Sequence, residues 1–468
     1  MTALSASDIT VNASTSLEDA IRTIDRTGSG IVFVVDDEGE LLGTATDGDI
    51  RRGILDGVDL SAPVVEVMNQ DPITVHDTWS EGEISDNIPT SELTARVSEY
   101  DHLTVPVLDD DRLVVGVTHL SPDGKAVDRV TDEPTNVETV LVIGGAGYIG
   151  SVLCQKLLSQ RYSVRILDNL TYGDHGIRDL LDHEEFTLIE GDMRSIEDVI
   201  DSIQGVDAVV HLGALVGDPA SAIDPQKTLE LNYHSVKLAA EICKYHQINR
   251  FLFASTCSVY GQSEDPEELL TEESTLNPVS LYAQTKIESE RALLDMADSN
   301  FSPTILRMAT IYGLSPRMRF DLVVNILSAK AHEEGVIPIY GGEQYRPNVH
   351  VADAAQAYID CLEAPIEDVA SEVLNVGSNA QNYRIEEIGH LISEVFPDAE
   401  LEFDREKEDD RSYQVDFQKI HDELDYSVSH TIPSAAREIK DAFEGGVFED
   451  YTADEYSNYR TLEDRMPI

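Results

Sequence analysis

The chain has 468 residues, 41% of them hydrophobic, and carries 89 acidic residues against 33 basic ones, a formal net charge of −56. The length is too great for one ordinary core and the apolar fraction excludes a globally disordered chain, so two or three domains are expected. The acids run through the whole chain, and a surface of that sign repels phosphate backbones and anionic lipid, which excludes nucleic acid and membranes as partners.

No stretch approaches the roughly 18–20 uninterrupted apolar residues of a membrane span. The N-terminal Met1-Thr-Ala-Leu-Ser-Ala-Ser-Asp8 has neither the basic patch nor the apolar run of a secretory signal, so a cytoplasmic protein is expected. Cys154, Cys243, Cys257 and Cys361 are far apart and form no Cys-x-x-Cys pair, so reduced thiols are expected, with no metal site and no disulfide framework. Self-repulsion among so many acids destabilises a fold in dilute buffer, and concentrated salt, which cuts the screening length to about 3 Å, relieves it. The composition therefore reads as that of a protein from a salt-accumulating halophile.

In chain order, the first region holds two strand pairs that echo each other. Ile31-Val-Phe-Val-Val35 and Leu41-Leu-Gly-Thr-Ala-Thr46 flank an acidic turn, and Thr104-Val-Pro-Val-Leu108 and Leu113-Val-Val-Gly-Val-Thr118 flank another. A separation of about 70 residues between the copies predicts an internal duplication. Residues 1–125 form this front module, and the polar, turn-rich stretch 126–138 is expected to be a linker.

From residue 139 the pattern changes to strands alternating with helices. Thr139-Val-Leu-Val-Ile143 precedes a glycine-rich turn, a helix over about 149–160, and a second strand Ser163–Leu167. Further strands follow at Phe186–Ile189, Ala208–His211, Arg250–Phe253 and Pro303–Leu306. That alternation predicts an α/β fold with a doubly wound parallel sheet. Gly144-Gly-Ala-Gly147-Tyr-Ile-Gly150 lies between strand and helix, where glycines let a diphosphate approach the backbone at a positive helix N-terminus. Asp168 ends the second strand, where an acid bonds both hydroxyls of an adenosine ribose and disfavours a 2′-phosphate, so NAD is the expected cofactor. Asp192, with Met193 beside it, is a candidate acceptor for the adenine amino group.

Tyr282-Ala-Gln-Thr-Lys286 sets a phenol and an ammonium four residues apart on one helix face. A free tyrosine, with a pKa near 10, is a poor base at neutral pH. The lysine cation and a positive nicotinamide ring are expected to draw it down. Upstream, Phe253-Ala-Ser255-Thr256-Cys-Ser-Val-Tyr260-Gly ends a strand, and Ser255 or Thr256 there places a hydroxyl beside a substrate oxygen.

These motifs stand in one order with His211-Leu-Gly-Ala-Leu215, Asn232 and Leu306-Arg-Met-Ala-Thr-Ile-Tyr-Gly313. Over residues 139–425 they resemble the extended short-chain dehydrogenases of the NAD-dependent epimerase/dehydratase family. The resemblance implies a Rossmann-type sheet with a small C-terminal substrate-binding subdomain through residue 468. It also implies a nucleotide-sugar substrate and bound NAD. It makes Tyr282 the base, Lys286 its partner and ribose ligand, and Thr256 the hydroxyl that shares the proton of the sugar's O4. The cofactor contacts it implies are Gly144, Gly147, Tyr148, Ile149, Gly150, Asp168, Asn169, Asp192, Met193, Leu212, Gly213, Ala214 and Asn232, besides Tyr282 and Lys286. Substrate contacts fall on Thr256, Thr310, Arg319, Arg346 and Arg411, with Arg317 a further diphosphate candidate. Where related 4,6-dehydratases carry an Asp-Glu pair after the catalytic Thr, this chain has Cys257 and Ser258, which disfavours dehydration. The implied activity is C4 epimerisation through transient oxidation. A ketoreductase, another oxidoreductase or a dehydratase on the same scaffold is the alternative enzyme, and a non-catalytic NAD-binding regulator the alternative outside catalysis. A homodimer or higher homo-oligomer is expected.

The front module, with Gly43-Thr-Ala-Thr46-Asp-Gly-Asp49, resembles a tandem CBS domain pair. The family's Thr-x-x-Asp implies a nucleotide ribose held by Thr46 and Asp49, hence an adenine-nucleotide sensor; a ligand-free dimerisation module is the other reading. The second copy, Gly116-Val-Thr-His-Leu-Ser121, departs from that pattern.

The charge balance predicts that the melting temperature and any activity climb steeply from low salt to several molar KCl. Full stability in dilute buffer, measured by a thermal melt, contradicts the halophile reading.

Overall fold

The structure, a computed structural model, describes residues 6–27, 29–36, 39–55, 57–76, 78–79, 88, 103–109, 112–120, 126–131, 137–263, 268–406 and 412–465. The chain divides into two compact units, 1–135 and 136–468.

In the first unit, β1 (Thr10–Asn12), β2 (Ile31–Val35) and β3 (Leu41–Thr46) form one sheet, with β1 parallel and β3 antiparallel to β2. A second sheet has the order β4 (Val75–His76), β5 (Leu103–Leu108), β6 (Val114–Leu120) and β7 (Ala126–Thr131). There β4 is parallel to β5, and β5–β6 and β6–β7 are antiparallel. Both expected hairpins are present, and each is preceded by a short parallel strand. The stretch expected as a linker instead opens with β7, paired to β6 through Val117–Val130. Its polar composition hid a strand that needs only backbone bonds along one edge. Leu17, Ala20 and Ile24 share one face of the helix Leu17–Thr27 and pack with Val32, Val34 and Ile50.

The second unit is built on seven parallel strands. In chain order they begin with β8 (Thr139–Ile143), β9 (Ser163–Asp168), β10 (Phe186–Glu190), β11 (Ala208–His211) and β12 (Arg250–Thr256). A two-residue strand β13 (Leu269–Leu270) lies apart, and β14 (Ser302–Met308) rejoins the sheet. Then come β15 (Thr310–Tyr312), β16 (Val336–Tyr340), β17 (Tyr345–His350) and β18 (Val373–Val376), of which only β18 belongs to the large sheet. Its order is β10-β9-β8-β11-β12-β14-β18, so the chain winds outward from β8 in one direction and returns to β11 to wind in the other. Ligands bind at the carboxyl edge of such a switch point.

Central strands are apolar on both faces because helices cover both. Val140 and Val142 of β8 pack with Leu153 and Leu157 of the helix Tyr148–Ser159. Leu141 and Ile143, which alternate with them in sequence, join Val199, Val236 and Ala239 in a separate cluster. A third cluster, around Leu327, Ile337, Ile339, Ile388 and Ile392, is the core of the C-terminal subdomain. There β16 pairs with β20 (Glu400–Asp404), β17 with β19 (Asn382–Arg384), and β13 with β21 (Gln414–Val415).

The four cysteines are buried and unpaired. Among the described residues no helix is long and apolar enough to cross a membrane, and no cluster could hold a metal ion.

Candidate active site

The carboxyl edge of β8, β9, β11, β12 and β14 opens into a cavity of about 770 Å³ that extends into the C-terminal subdomain. Its floor at one end is the glycine-rich turn. Gly144 has φ +82°, and a Cβ there would lie 2.7 Å from the Gly213 Cα. A Cβ on Gly150 would lie 2.6 Å from the Gly145 carbonyl oxygen. A side chain at either position closes the cradle, whose backbone N–H groups start the helix at Tyr148. Asp168, at the tip of β9, accepts bonds from the Ala146 N–H (3.0 Å) and the Leu170 N–H (2.9 Å), and burial raises its carboxyl above the usual range. Gly147, Tyr148, Ile149, Asn169, Met193, Leu212, Gly213 and Ala214 line the same end. A cradle that admits no Cβ, a helix N-terminus and a strand-end carboxylate suit the adenosine diphosphate half of NAD.

Two expected cofactor contacts lie elsewhere. Asp192 is not among the cavity-lining residues; its carboxylate is held by Arg194, which donates to it from Nη2 at 2.6 Å and from its backbone N–H at 2.9 Å. Asn232, fully buried and also off the cavity wall, accepts from the Leu215 N–H (2.7 Å) and donates to the Leu215 carbonyl (3.0 Å). It thereby fixes the loop after β11, whose six residues 212–217 all line the cavity.

At the centre of the cavity stand Thr256, Tyr282 and Lys286. Ser280 caps the helix Leu281–Met296 by accepting from the Ala283 N–H, and the first turns carry Tyr282 and Lys286 inward. Both are buried. The Lys286 Nζ donates to the Ala254 carbonyl at 2.6 Å and sits 4.6 Å from the Phe253 ring centroid and 5.9 Å from that of Tyr282. Burial pushes the Tyr282 phenol up, while the Arg319 charge and a hydrogen bond from Thr256 pull it back. Burial also pushes Lys286 down to about 7, against the charge of Glu290. The expected lowering of the phenol is therefore reversed in the protein alone. Desolvation exceeds the pull of Arg319 and Thr256, and the lysine's own charge is penalised by the same pocket.

Beneath these groups runs a buried network that nothing in the motif spacing announces. The Ser255 hydroxyl donates to Glu290, and Arg307 pairs with Glu290 through Nη2 at 2.7 Å. Arg307 also donates to the Tyr260 hydroxyl at 3.1 Å, and that hydroxyl donates to Asn375 at 2.7 Å. Cys257 faces away from the cavity, its thiol directed to the Arg307 carbonyl at 3.2 Å, whereas Ser258 lines it.

The wall also includes Asp218, Thr310, Arg319 and Arg346, with Arg317 lining it beside Gly176 near the glycine-rich turn. Arg319 donates to Asp321 at 2.8 Å, and Arg346 donates to the Tyr345 carbonyl at 2.7 Å. Arg411 lies outside the described residues. Asp218, which the sequence reading did not single out, acts on the Tyr282 phenol through its charge. The two ends of the cavity are tied together by Tyr148, whose hydroxyl donates to the Gly313 carbonyl at 2.6 Å and accepts from Asn325 at 3.0 Å.

A family model described as the NAD dependent epimerase/dehydratase family matches residues 140–377, and one for the CBS domain matches residues 3–56. The low-salt glycan biosynthesis protein Agl12 of Haloferax volcanii is 30% identical over 289 residues, which are 60% of this chain and 90% of that protein. UDP-glucose 4-epimerase of Bacillus subtilis is 27% identical over 264 residues, 51% of this chain and 77% of that one. Among solved structures, UDP-glucuronic acid 4-epimerase from Bacillus cereus, in complex with UDP-glucuronic acid and NAD, matches with a TM-score of 0.59 at 26% identity. That match covers 66% of this chain and 99% of the other.

The buried lysine makes a pH prediction. Between about 7 and 10.5 the unfolded chain holds a proton that folded Lys286 has lost. The penalty is full below that window and lifts as pH rises through it. In molar KCl the ligand-free wild type should gain stability over Lys286→Met by up to about 1.4 kcal/mol per pH unit across the window. Urea denaturation of both proteins at several pH values measures it, and a flat difference contradicts it.

Proposed function

From a chain that belongs to the NAD dependent epimerase/dehydratase family, and is an enzyme of it with NAD as cofactor, we propose a nucleotide-sugar 4-epimerase. NAD, held by the glycine-rich turn and Asp168, would supply a reversible hydride acceptor for the sugar's C4. The protein's part is the proton. Tyr282 removes it from the 4-hydroxyl, and the Thr256 hydroxyl, bonded to the phenol, supports the charge that remains. Lys286, held by the Ala254 carbonyl, is the cation that favours phenolate over phenol when the proton leaves. In the reverse direction Tyr282 returns the proton to the sugar's O4, which completes the inversion. Arg346 and Arg319, on the wall beyond, are the grips for the substrate's diphosphate, with Thr310 alongside.

The observation that carries epimerisation over dehydration is the pair after Thr256. Cys257 turns into the core and Ser258 stands at the cavity, so neither position offers a carboxyl group to a leaving C6 hydroxyl. Asp218 favours a second reading, because it brings a carboxylate to the same cavity from the start of the helix Asp218–Ile223. That reading is a dehydratase with the acid supplied from a different element.

For the first unit, we propose a tandem pair whose second copy is the sheet β4 to β7, with an adenine nucleotide as ligand of the first. Thr46 and Asp49 bond to each other, Oγ1 to Oδ2 at 2.6 Å, at the start of the helix Asp47–Leu55, which sets both polar groups at one helix end. A cytoplasm rich in salt belongs to the same proposal and rests on the acid excess.

Incubation of the purified protein in molar KCl with UDP-, dTDP- and GDP-sugars, followed by product analysis, tests the activity. An epimer formed without net NADH is expected, and Tyr282→Phe should lower turnover by about 10²–10⁴. A 4-keto-6-deoxy product selects the dehydratase, and the absence of any conversion contradicts both.

A further inference from the structure

Arg317 is 2% exposed, yet its Nε and Nη2 have no hydrogen-bond partner, and among the described residues no ion pair includes it. In a chain with 89 acids to 33 bases, a buried guanidinium without an acid is a notable omission. The neighbouring acids are committed elsewhere. Asp321 pairs with Arg319 at 2.8 Å, and Asp168 is held by the backbone N–H groups of Ala146 and Leu170. Tyr172, whose ring centroid lies 4.5 Å from the Arg317 guanidinium carbon, also has a buried hydroxyl without a partner. Both residues line the cavity.

Their position is given by the segment that leads to Arg317. Ser315 donates to the Tyr148 carbonyl at 2.8 Å and lies 3.0 Å from the Ser151 hydroxyl, so residues 315–317 run along the first turn of the helix after the glycine-rich loop. Gly176 is wedged between the two: a Cβ there would be 2.8 Å from the Ala146 carbonyl oxygen and 2.9 Å from the Arg317 Cβ.

We propose that Arg317 and Tyr172 bind the diphosphate of the dinucleotide, adding two side chains to the backbone cradle of the glycine-rich turn. The assignment rests on the NAD reading and adds to it two side chains outside the glycine motif. A desolvated cation is costly until an anion meets it, and burial already pulls Arg317 down to about 10. The diphosphate is the anion this place takes, because the cradle beside it is backbone N–H and a 2′-phosphate would meet the Asp168 carboxylate. The substrate's diphosphate is the other source of the same chemistry, and it would draw on Arg346, farther along the cavity.

The test is calorimetric titration of the full chain, freed of nucleotide and kept in molar KCl, with NAD, ADP-ribose, adenosine, NADP and UDP. Arg317→Gln should weaken NAD and ADP-ribose by about ten- to a hundredfold, as loss of a charged hydrogen bond does, and leave adenosine and UDP unchanged. Tyr172→Phe, which deletes one atom and keeps the ring, should give a smaller loss with the same selectivity. The melting temperature of ligand-free Arg317→Gln should stay level or rise, because an unmatched charge has been removed; a residue with a merely structural role would lower it. Equal affinities for ADP-ribose in wild type and both variants overturn the proposal, as does a loss confined to NADP or to UDP. A wild type that binds UDP but no NAD instead refutes the underlying NAD reading, and the proposal falls with it.

Discussion

Tyr282 and Lys286 share one water-poor pocket, and that common burial is the constraint on which the site depends. Each group is driven toward its neutral form, the phenol upward and the ammonium down to about 7. Proximity alone therefore does not produce a base. The pair becomes useful only when further positive charge enters the pocket, and the family's cofactor brings a positively charged ring. On the proposed mechanism, a phenol that burial keeps protonated in the protein alone would ionise once NAD occupies the site. The hydroxyl of Thr256 and the Arg319 charge already lean that way.

The rest of the second unit holds this pocket in shape. The winding of the sheet away from β8 in both directions brings the tips of β8, β9, β11, β12 and β14 to one edge. Under that edge, Glu290 receives Ser255 from β12 and Arg307 from β14, and it lies on the same helix as Tyr282 and Lys286. Its charge is also what supports the Lys286 ammonium. Removing one member of a buried ion pair leaves the other uncompensated and typically costs about 3–5 kcal/mol, so the network fixes strand, helix and lysine together. Tyr148 does the equivalent across the cavity, joining the glycine-rich helix to the Gly313 turn.

Much of this was legible in the sequence where apolar runs define the elements. Thr139–Ile143, Ala208–His211 and the hairpin strands Ile31–Val35 and Leu41–Thr46 have the bounds their apolar runs predict. Two strands end in polar functional residues. β9 ends on Asp168 as expected, and β12 continues past Phe253 to Ser255 and Thr256, because parallel pairing carries the backbone past the apolar run to the working edge. The strand Val373–Val376 escaped notice, its run of four broken by Asn375, whose side chain serves the buried network. What spacing could not reveal was competition and desolvation. Asp192 looks available until Arg194 folds back on it. Arg307 and Glu290 are 17 residues apart in sequence, and neither advertises the other. The ionisation of Tyr282 was argued from its charges alone, and burial, which sequence does not display, reversed the sign.

The most direct check on this account is the ionisation of Tyr282 itself, read as the ultraviolet difference titration between wild type and Tyr282→Phe, with and without NAD. The account predicts ionisation above the ordinary tyrosine value of about 10 in the ligand-free protein, and a fall of about two units or more once NAD is bound. A phenol that titrates at the same pH in both states contradicts it.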